Sequence, residues 1–229
     1  MFPTNIIADF INLFFPRICA SCDDILLRNE HFLCTKCLYE LPKTNFHNDP
    51  ENEVAQMFWG RVLINHATAY LHFQKGGYVQ KLLHKLKYKG QKEIGHELGK
   101  MIGLDLLHSP FTSAEVIIPV PLHKSKLRKR GYNQSELIAK GIAEVTKNPV
   151  ITNNLCKSNA TPTQTRRHRY DRWLNVEKMF ELKDPKSIAN KHILLVDDVV
   201  TTGATLEACA SVLLQAENVK ISIVTLAKA

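Results

Sequence analysis

Between Asp197 and Thr205 the chain runs Asp-Asp-Val-Val-Thr-Thr-Gly-Ala-Thr. Two adjacent carboxylates followed by a hydroxyl- and glycine-rich turn suit a sugar phosphate. The carboxylates of Asp197 and Asp198 accept hydrogen bonds from a vicinal diol such as the 2′ and 3′ hydroxyls of ribose, while they repel a bare phosphate. Thr201, Thr202 and Thr205 supply hydroxyl donors. Gly203 permits backbone conformations closed to other residues, so the amides from Thr201 through Ala204 to Thr205 can converge. The apolar run Ile193–Val196 precedes the turn and a helical pattern from Ala204 follows it. The turn therefore lies at a helix N-terminus, where unpaired N–H groups and the positive dipole end face an anion. A phosphorylated ribose satisfies both halves of the pattern. Neither Gly-x-x-x-x-Gly-Lys-Ser/Thr nor Gly-x-Gly-x-x-Gly occurs in the chain, which sets aside the P-loop and dinucleotide fingerprints. A plain helix cap by Asp198 or Thr201 explains one or two of these residues, not the series.

A second constellation is Cys19-Ala-Ser-Cys22 with Cys34-Thr-Lys-Cys37. Zinc takes four soft ligands at tetrahedral corners about 2.3 Å away. Two intervening residues let a tight turn aim both sulfurs of a pair at one ion, and a short hairpin brings the second pair opposite. A site closed by four thiolates leaves no position for substrate, so its expected role is structural. Two disulfides, a redox Cys-x-x-Cys and an iron–sulfur cluster are the competing readings, and the doubled motif favours zinc. His31, inside the knuckle, reads as a solvated loop residue, and Cys156 and Cys209 as unpaired thiols.

Three basic stretches follow: Lys81–Lys92, His123–Arg130 and Arg166–Arg172. The first reads as a solvated face. In the second, His123, Lys124, Arg128 and Arg130 follow an apolar run that ends at prolines, which places them at a site mouth, where the charge of a pyrophosphate would sit. Arg169 and Arg172 carry the third. Cations interleaved with Tyr132, Tyr170 and Trp173 also suit a single-stranded nucleic acid, with charges on phosphates and rings on bases.

The elements that must position these groups are legible from periodicity. Leu82, Leu83 and Leu86 recur at helical spacing, as do Ile94, Leu98, Ile102 and Leu106, and then Leu137, Ile138, Ile142 and Val145. Val116–Val120, Ile193–Val196 and Ile221–Thr225 are short, β-branched and apolar, as buried strands are. Strand, helix, strand in that order predicts an α/β fold with a parallel sheet flanked by helices, and its ligands sit beyond the carboxyl ends of the strands. With 229 residues, 45% apolar and 23% charged, the chain is long enough for one substantial domain and a small appendage. We expect a four-cysteine module with a leading helix over residues 1–47 and the ligand-binding domain over 48–229, joined by the polar Pro42–Pro50 linker. The module is too short to bury a core of its own, so a metal is its natural staple. The net charge of +8 suits a polyanionic partner or an anionic substrate. No apolar run reaches membrane-span length, and the Ile6–Phe15 stretch lacks the basic start and cleavage site of a signal peptide, so a cytoplasmic location is expected.

Residues 193–205 resemble the motif with which type I phosphoribosyltransferases bind 5-phosphoribosyl-1-pyrophosphate (PRPP): apolar residues, paired acids, then Thr-Thr-Gly-x-Thr. That resemblance implies that Asp197 and Asp198, as the catalytic acids, hold the ribose hydroxyls, that Thr201–Thr205 wrap the 5-phosphate, and that magnesium accompanies PRPP. It also implies a mobile loop where Arg166–Arg172 lies. A four-cysteine knuckle ahead of such a domain resembles the ComF family, which is associated with DNA uptake in natural competence. Leu13-Phe14-Phe15-Pro16, Lys87-Tyr88-Lys89-Gly90, Pro119-Val120-Pro121-Leu122-His123, Arg130-Gly131-Tyr132-Asn133-Gln134, Gln164 and Arg172-Trp173-Leu174-Asn175-Val176 fit it, so the likeness spans nearly the whole chain. It departs from the pattern in having no arginine between Asn153 and Thr165. Membership implies a PRPP-binding protein that handles imported single-stranded DNA beside the uptake machinery, or an active transferase that moves phosphoribosyl to a nitrogenous base.

Overall fold

The computed structural model describes residues 14–157 and 179–229. The expected leading helix before Phe14, and Arg169 and Arg172, lie outside these residues. The cysteine module ends in helix α1 (Thr35–Tyr39), and α2 (Glu53–Gln56) precedes strand β1 (His66–His72). Helices α3 (Tyr78–Tyr88) and α4 (Lys92–Leu106) lead to β2 (Val116–Pro119), α5 (Lys124–Arg130) and α6 (Gln134–Thr146). Strands β3 (Leu155–Lys157), β4 (Phe180–Leu182) and β5 (His192–Val200), helix α7 (Ala204–Leu213) and β6 (Lys220–Lys228) complete the described elements.

Four strands form a parallel sheet in the order β1-β6-β5-β2, while β3 and β4 pair antiparallel. The central strands are buried on both faces, as their uninterrupted apolar runs require. Leu194, Val196, Val224 and Leu226 point into one core with α3, α4 and α6. Ile193, Leu195, Ile221 and Ile223 point into the other with α7 and the β3–β4 hairpin. Helices α4 and α6 cross so closely that a β-carbon on Gly141 would stand 2.1 Å from the His96 carbonyl oxygen. That contact fixes α6, and with it the residues at its N-terminus. The buried His192 anchors the start of β5 through Ser113 Oγ at 3.0 Å and Ser222 Oγ at 2.9 Å.

Three elements differ from the periodicity. Strand β5 continues past Val196 to Val200, because β6 offers a full ladder in which Asp197 pairs with Thr225 and Val200 with Lys228. Strand β1 has no counterpart in the expected elements, and the helical pattern from Ala204 forms α7 only as far as Leu213. The Pro42–Thr44 part of the linker is pinned to β1: His72 N–H donates to the Pro42 carbonyl at 2.8 Å and Thr44 N–H to that of Tyr70 at 3.0 Å. Leu26, Leu33 and Leu41 of the cysteine module share a core with Leu82, Leu83 and Leu86 of α3. Lys85 pairs with Asp23 at 2.5 Å, and Tyr78 donates to Glu40 at 3.1 Å. Among the described residues no helix is long and apolar enough to cross a membrane.

Candidate functional site

The paired acids sit at the carboxyl end of β5, the place where open parallel sheets bind ligands. Asn133 caps α6 and donates to the Val120 carbonyl just beyond β2, at 2.9 Å. This fixes Ser135 beside Asp197, whose Oδ1 accepts from Ser135 Oγ and from the Asp198 backbone N–H, both at 2.8 Å. Enclosure by protein, and then the neighbouring Asp198 carboxylate, push the Asp197 carboxyl up to about 7. Asp198 has a different partner. Lys87 Nζ, in the last turn of α3, lies 2.9 Å from its Oδ2.

Beyond β5 the chain turns through Thr201 and Thr202 to Gly203, the N-cap of α7, at φ +75°. A β-carbon there would be strained and would stand 3.1 Å from the Phe58 ring, so only glycine fits. Gly203 has no side chain to cap this helix end, the Ala204 N–H donates only a long 3.5 Å bond to Thr202 Oγ1, and Thr201, Thr202, Ala204 and Thr205 are exposed. First-turn N–H groups at a helix start beside exposed hydroxyls are what a phosphate monoester needs. Arg61 holds the turn from outside: it donates to the carbonyls of Thr202 at 3.0 Å and Met57 at 2.9 Å, and it pairs with Glu207. That pair offsets the one acidic side chain in the first turn of α7.

A cavity adjoins the turn, and a second shares Lys87 and Tyr88 with it. The first, of about 470 Å³, is lined by Asp198, Val199 and Thr201 together with Leu83, Lys87 and Tyr88. The second, of about 330 Å³, is lined by Lys87, Tyr88, Lys126, Lys129, Arg130 and Tyr132. The His123–Arg130 stretch forms α5, and its residues divide. Arg130 lines the cationic cavity, lies over the Tyr88 ring at 5.4 Å and donates to Gln134. His123 is used as the cap of α5, its Nδ1 accepting from Ser125 N–H at 3.2 Å. Lys124 and Arg128 are exposed and do not line this cavity. Lys126 and Lys129 do, although the sequence reading did not single them out. Lys81–Lys92 is more than a solvated face, because Lys85, Lys87 and Lys92 each have a partner (Asp23, Asp198 and the Tyr132 ring). Ser135, Lys87 and Arg61 were missed because each meets the motif only through the fold. The Asn-Gln-Ser helix start was the available signal for Ser135.

The ligand atoms of Cys19, Cys22, Cys34 and Cys37 lie within 4.8 Å of one another and can hold a metal ion. Cys22 and Cys34 Sγ are 3.7 Å apart. This is far beyond a disulfide bond, and it matches the separation of about 3.8 Å expected for sulfurs placed tetrahedrally 2.3 Å from one ion. Backbone N–H groups of Ser21 and Cys34 donate to Cys19 Sγ at 3.4 and 3.3 Å. Burial opposes ionisation of Cys19, but backbone hydrogen bonds outweigh it and bring the thiol down to about 7. Glu30 braces the knuckle by accepting from Leu27 N–H at 2.7 Å and Thr35 N–H at 2.6 Å. His31 is exposed, Cys209 is buried and Cys156 half-buried, both as free thiols.

Comparison with known proteins agrees with this geometry. The sequence model of the phosphoribosyl transferase domain matches residues 134–229, the stretch that contains Ser135, both acids and the turn. Competence protein F of Haemophilus influenzae is 30% identical over 153 residues, 65% of this chain and 67% of that protein. The chain belongs to the ComF family. The DNA utilization protein YhgH of Escherichia coli O157:H7 is 32% identical over 138 residues, so the match spans 58% of this chain and 60% of that relative's length. Among solved structures, the glutamine PRPP amidotransferase of Bacillus subtilis is 23% identical with a TM-score of 0.40, covering 56% of this chain and 25% of that one. The ComF chain described here thus has the type I phosphoribosyltransferase-like fold, a parallel sheet flanked by helices and preceded by a cysteine cluster able to bind metal.

Proposed function

We propose that this chain binds PRPP with magnesium at Asp197–Thr205 and acts in the cytoplasm during DNA uptake, where it handles imported single-stranded DNA. The observation that carries the reading is that paired acids near the carboxyl end of β5 run into a glycine-and-threonine turn at the start of α7, with Lys87 linking Asp198 to a cationic cavity nearby. Asp197 and Asp198 take the ribose hydroxyls, Thr201, Thr202, Gly203, Ala204 and Thr205 surround the 5-phosphate, and Arg130 with Lys126 and Lys129 faces the diphosphate. Magnesium, held chiefly by PRPP oxygens and water, supplies neutralising charge there. We assign zinc to the four cysteines, with residues 1–47 as a structural module beside the 48–229 ligand domain.

The DNA part of the reading draws on what the relatives are named for, competence and DNA utilization, and on Arg130 set over the exposed Tyr88 ring. Tyr132, expected to stack on bases, is instead buried in the core with its hydroxyl on the Leu86 carbonyl. Fluorescence anisotropy with an oligothymidylate at rising salt tests it. Binding should weaken with salt, and replacing Lys126, Lys129 and Arg130 by alanine should reduce the log–log slope by about 2. Binding that ignores both salt and these substitutions overturns the DNA role.

A second reading rests on the intact acid-and-threonine loop from Asp197 to Thr205, where enclosure and the Asp198 carboxylate raise the Asp197 carboxyl into a range suited to proton transfer at neutral pH. In this reading a nitrogenous acceptor forms a bond to ribose C1, the C1–oxygen bond to pyrophosphate breaks, and Asp197 receives the acceptor's proton. A broad acceptor screen should then detect magnesium-dependent pyrophosphate release. Turnover no greater than that of Asp198→Asn removes this reading.

A further inference from the structure

Lys87 joins the cavity beside the phosphate turn to the cationic cavity under α5. Its Nζ lies 2.9 Å from Asp198 Oδ2, and the same side chain lines both the cavity of Asp198 and Thr201 and the cationic cavity under α5. Both partners are largely shielded, with side-chain exposures of 23% for Lys87 and 17% for Asp198, so water screens this pair less than a surface one. The backbone that carries Lys87 is fixed. Leu82, Leu83 and Leu86 are buried, the Leu86 carbonyl accepts from Tyr132, and Lys85 is tied to Asp23 of the cysteine module. Only the flexible stem of Lys87 is left to move, and its reach covers both cavities.

A diol that uses Asp198 as its acceptor competes with this ion pair. A diphosphate in the cationic cavity offers Lys87 a partner of higher charge and more acceptor oxygens. We infer that Lys87 is a specificity-determining residue that exchanges Asp198 for the ligand's diphosphate, so that Asp198 is released to a ribose only when that ribose also carries a diphosphate. The inference rests on the PRPP reading above. It makes Lys87 discriminate between PRPP and ribose 5-phosphate, two ligands that are identical at the acids and at the turn.

Titration calorimetry of the full chain, wild type and Lys87→Met, with each ligand at fixed magnesium is the test. Removal of the ammonium should weaken PRPP about tenfold or more, because a charged hydrogen bond to the diphosphate is lost. It should tighten ribose 5-phosphate about threefold, because the competing ion pair is gone. Lys87→Gln, polar and uncharged but one atom shorter, should shift both affinities in the same two directions. Opposite shifts are the signature, since a packing defect at the end of α3 would weaken both ligands. Affinities that fall together, or a ribose 5-phosphate affinity that does not rise, overturn the inference and leave the PRPP reading intact. A wild-type chain that takes neither ligand overturns both.

Discussion

The cysteine cluster and the acid-and-threonine turn are both short sequence signatures, but the fold assembles them differently. The knuckle is closed on itself: its four ligands come from 19 residues of chain, and Glu30 within that stretch and Arg17 just before it brace it. The turn contributes acceptors and backbone donors, but Ser135 from α6, Lys87 from α3 and Arg61 from the loop after α2 complete it. A self-contained site tolerates change elsewhere and fails when one ligand goes. A site assembled across the sheet can be adjusted from several distant positions.

The largest effect is expected on the closed side. Cys37→Ser should abolish stoichiometric metal in elemental analysis and cost on the order of 4–5 kcal/mol in urea denaturation, since the module shares its core with α3. Full metal content in this variant would break the comparison. Next, Gly203→Ala forces a β-carbon at φ +75° to within 3.1 Å of Phe58. A destabilisation of about 1–2 kcal/mol, read as a fall of about 3–6 °C in melting temperature, is expected. Arg61→Ala removes the outer support of Thr202 and frees Glu207 beside the phosphate turn. PRPP affinity should fall about fivefold with little change in melting temperature.

How much of this was legible in the chain follows the same division. Cys19, Cys22, Cys34 and Cys37, and the turn from Asp197 to Thr205, could be read because their chemistry is contiguous. The helices around Leu86, Leu98 and Ile138 were legible from their apolar stripes. Strand β1 was not, because Ala67, Thr68 and Ala69 are small and its ends are His66 and His72. Helix α5 has a single large apolar residue, Leu127, and therefore no stripe. Asp197 and Asp198 read as loop because their polarity masks a ladder that only β6 reveals. The role of Lys87 depends on a partner distant in sequence, and local pattern carries no trace of it.

The smallest predicted effect concerns pH. The Asp197 carboxyl is raised above its ordinary value, so the proton leaves as pH rises through about 7. Only the ionised form accepts from both ribose hydroxyls, so PRPP affinity should climb through that range. The Ser135 hydrogen bond favours the charged form. Ser135→Ala should therefore move the midpoint of an affinity–pH profile upward, by less than about one unit. A downward move would mean that Ser135 does not act on Asp197.

The central claim is that the turn and the paired acids together hold one PRPP, and calorimetric titration with PRPP at saturating magnesium tests it most directly. One site per wild-type chain is expected, with a loss of affinity of about thirtyfold in Asp198→Asn and the melting temperature preserved. No binding by the wild type, or equal affinity in the two proteins, would contradict it.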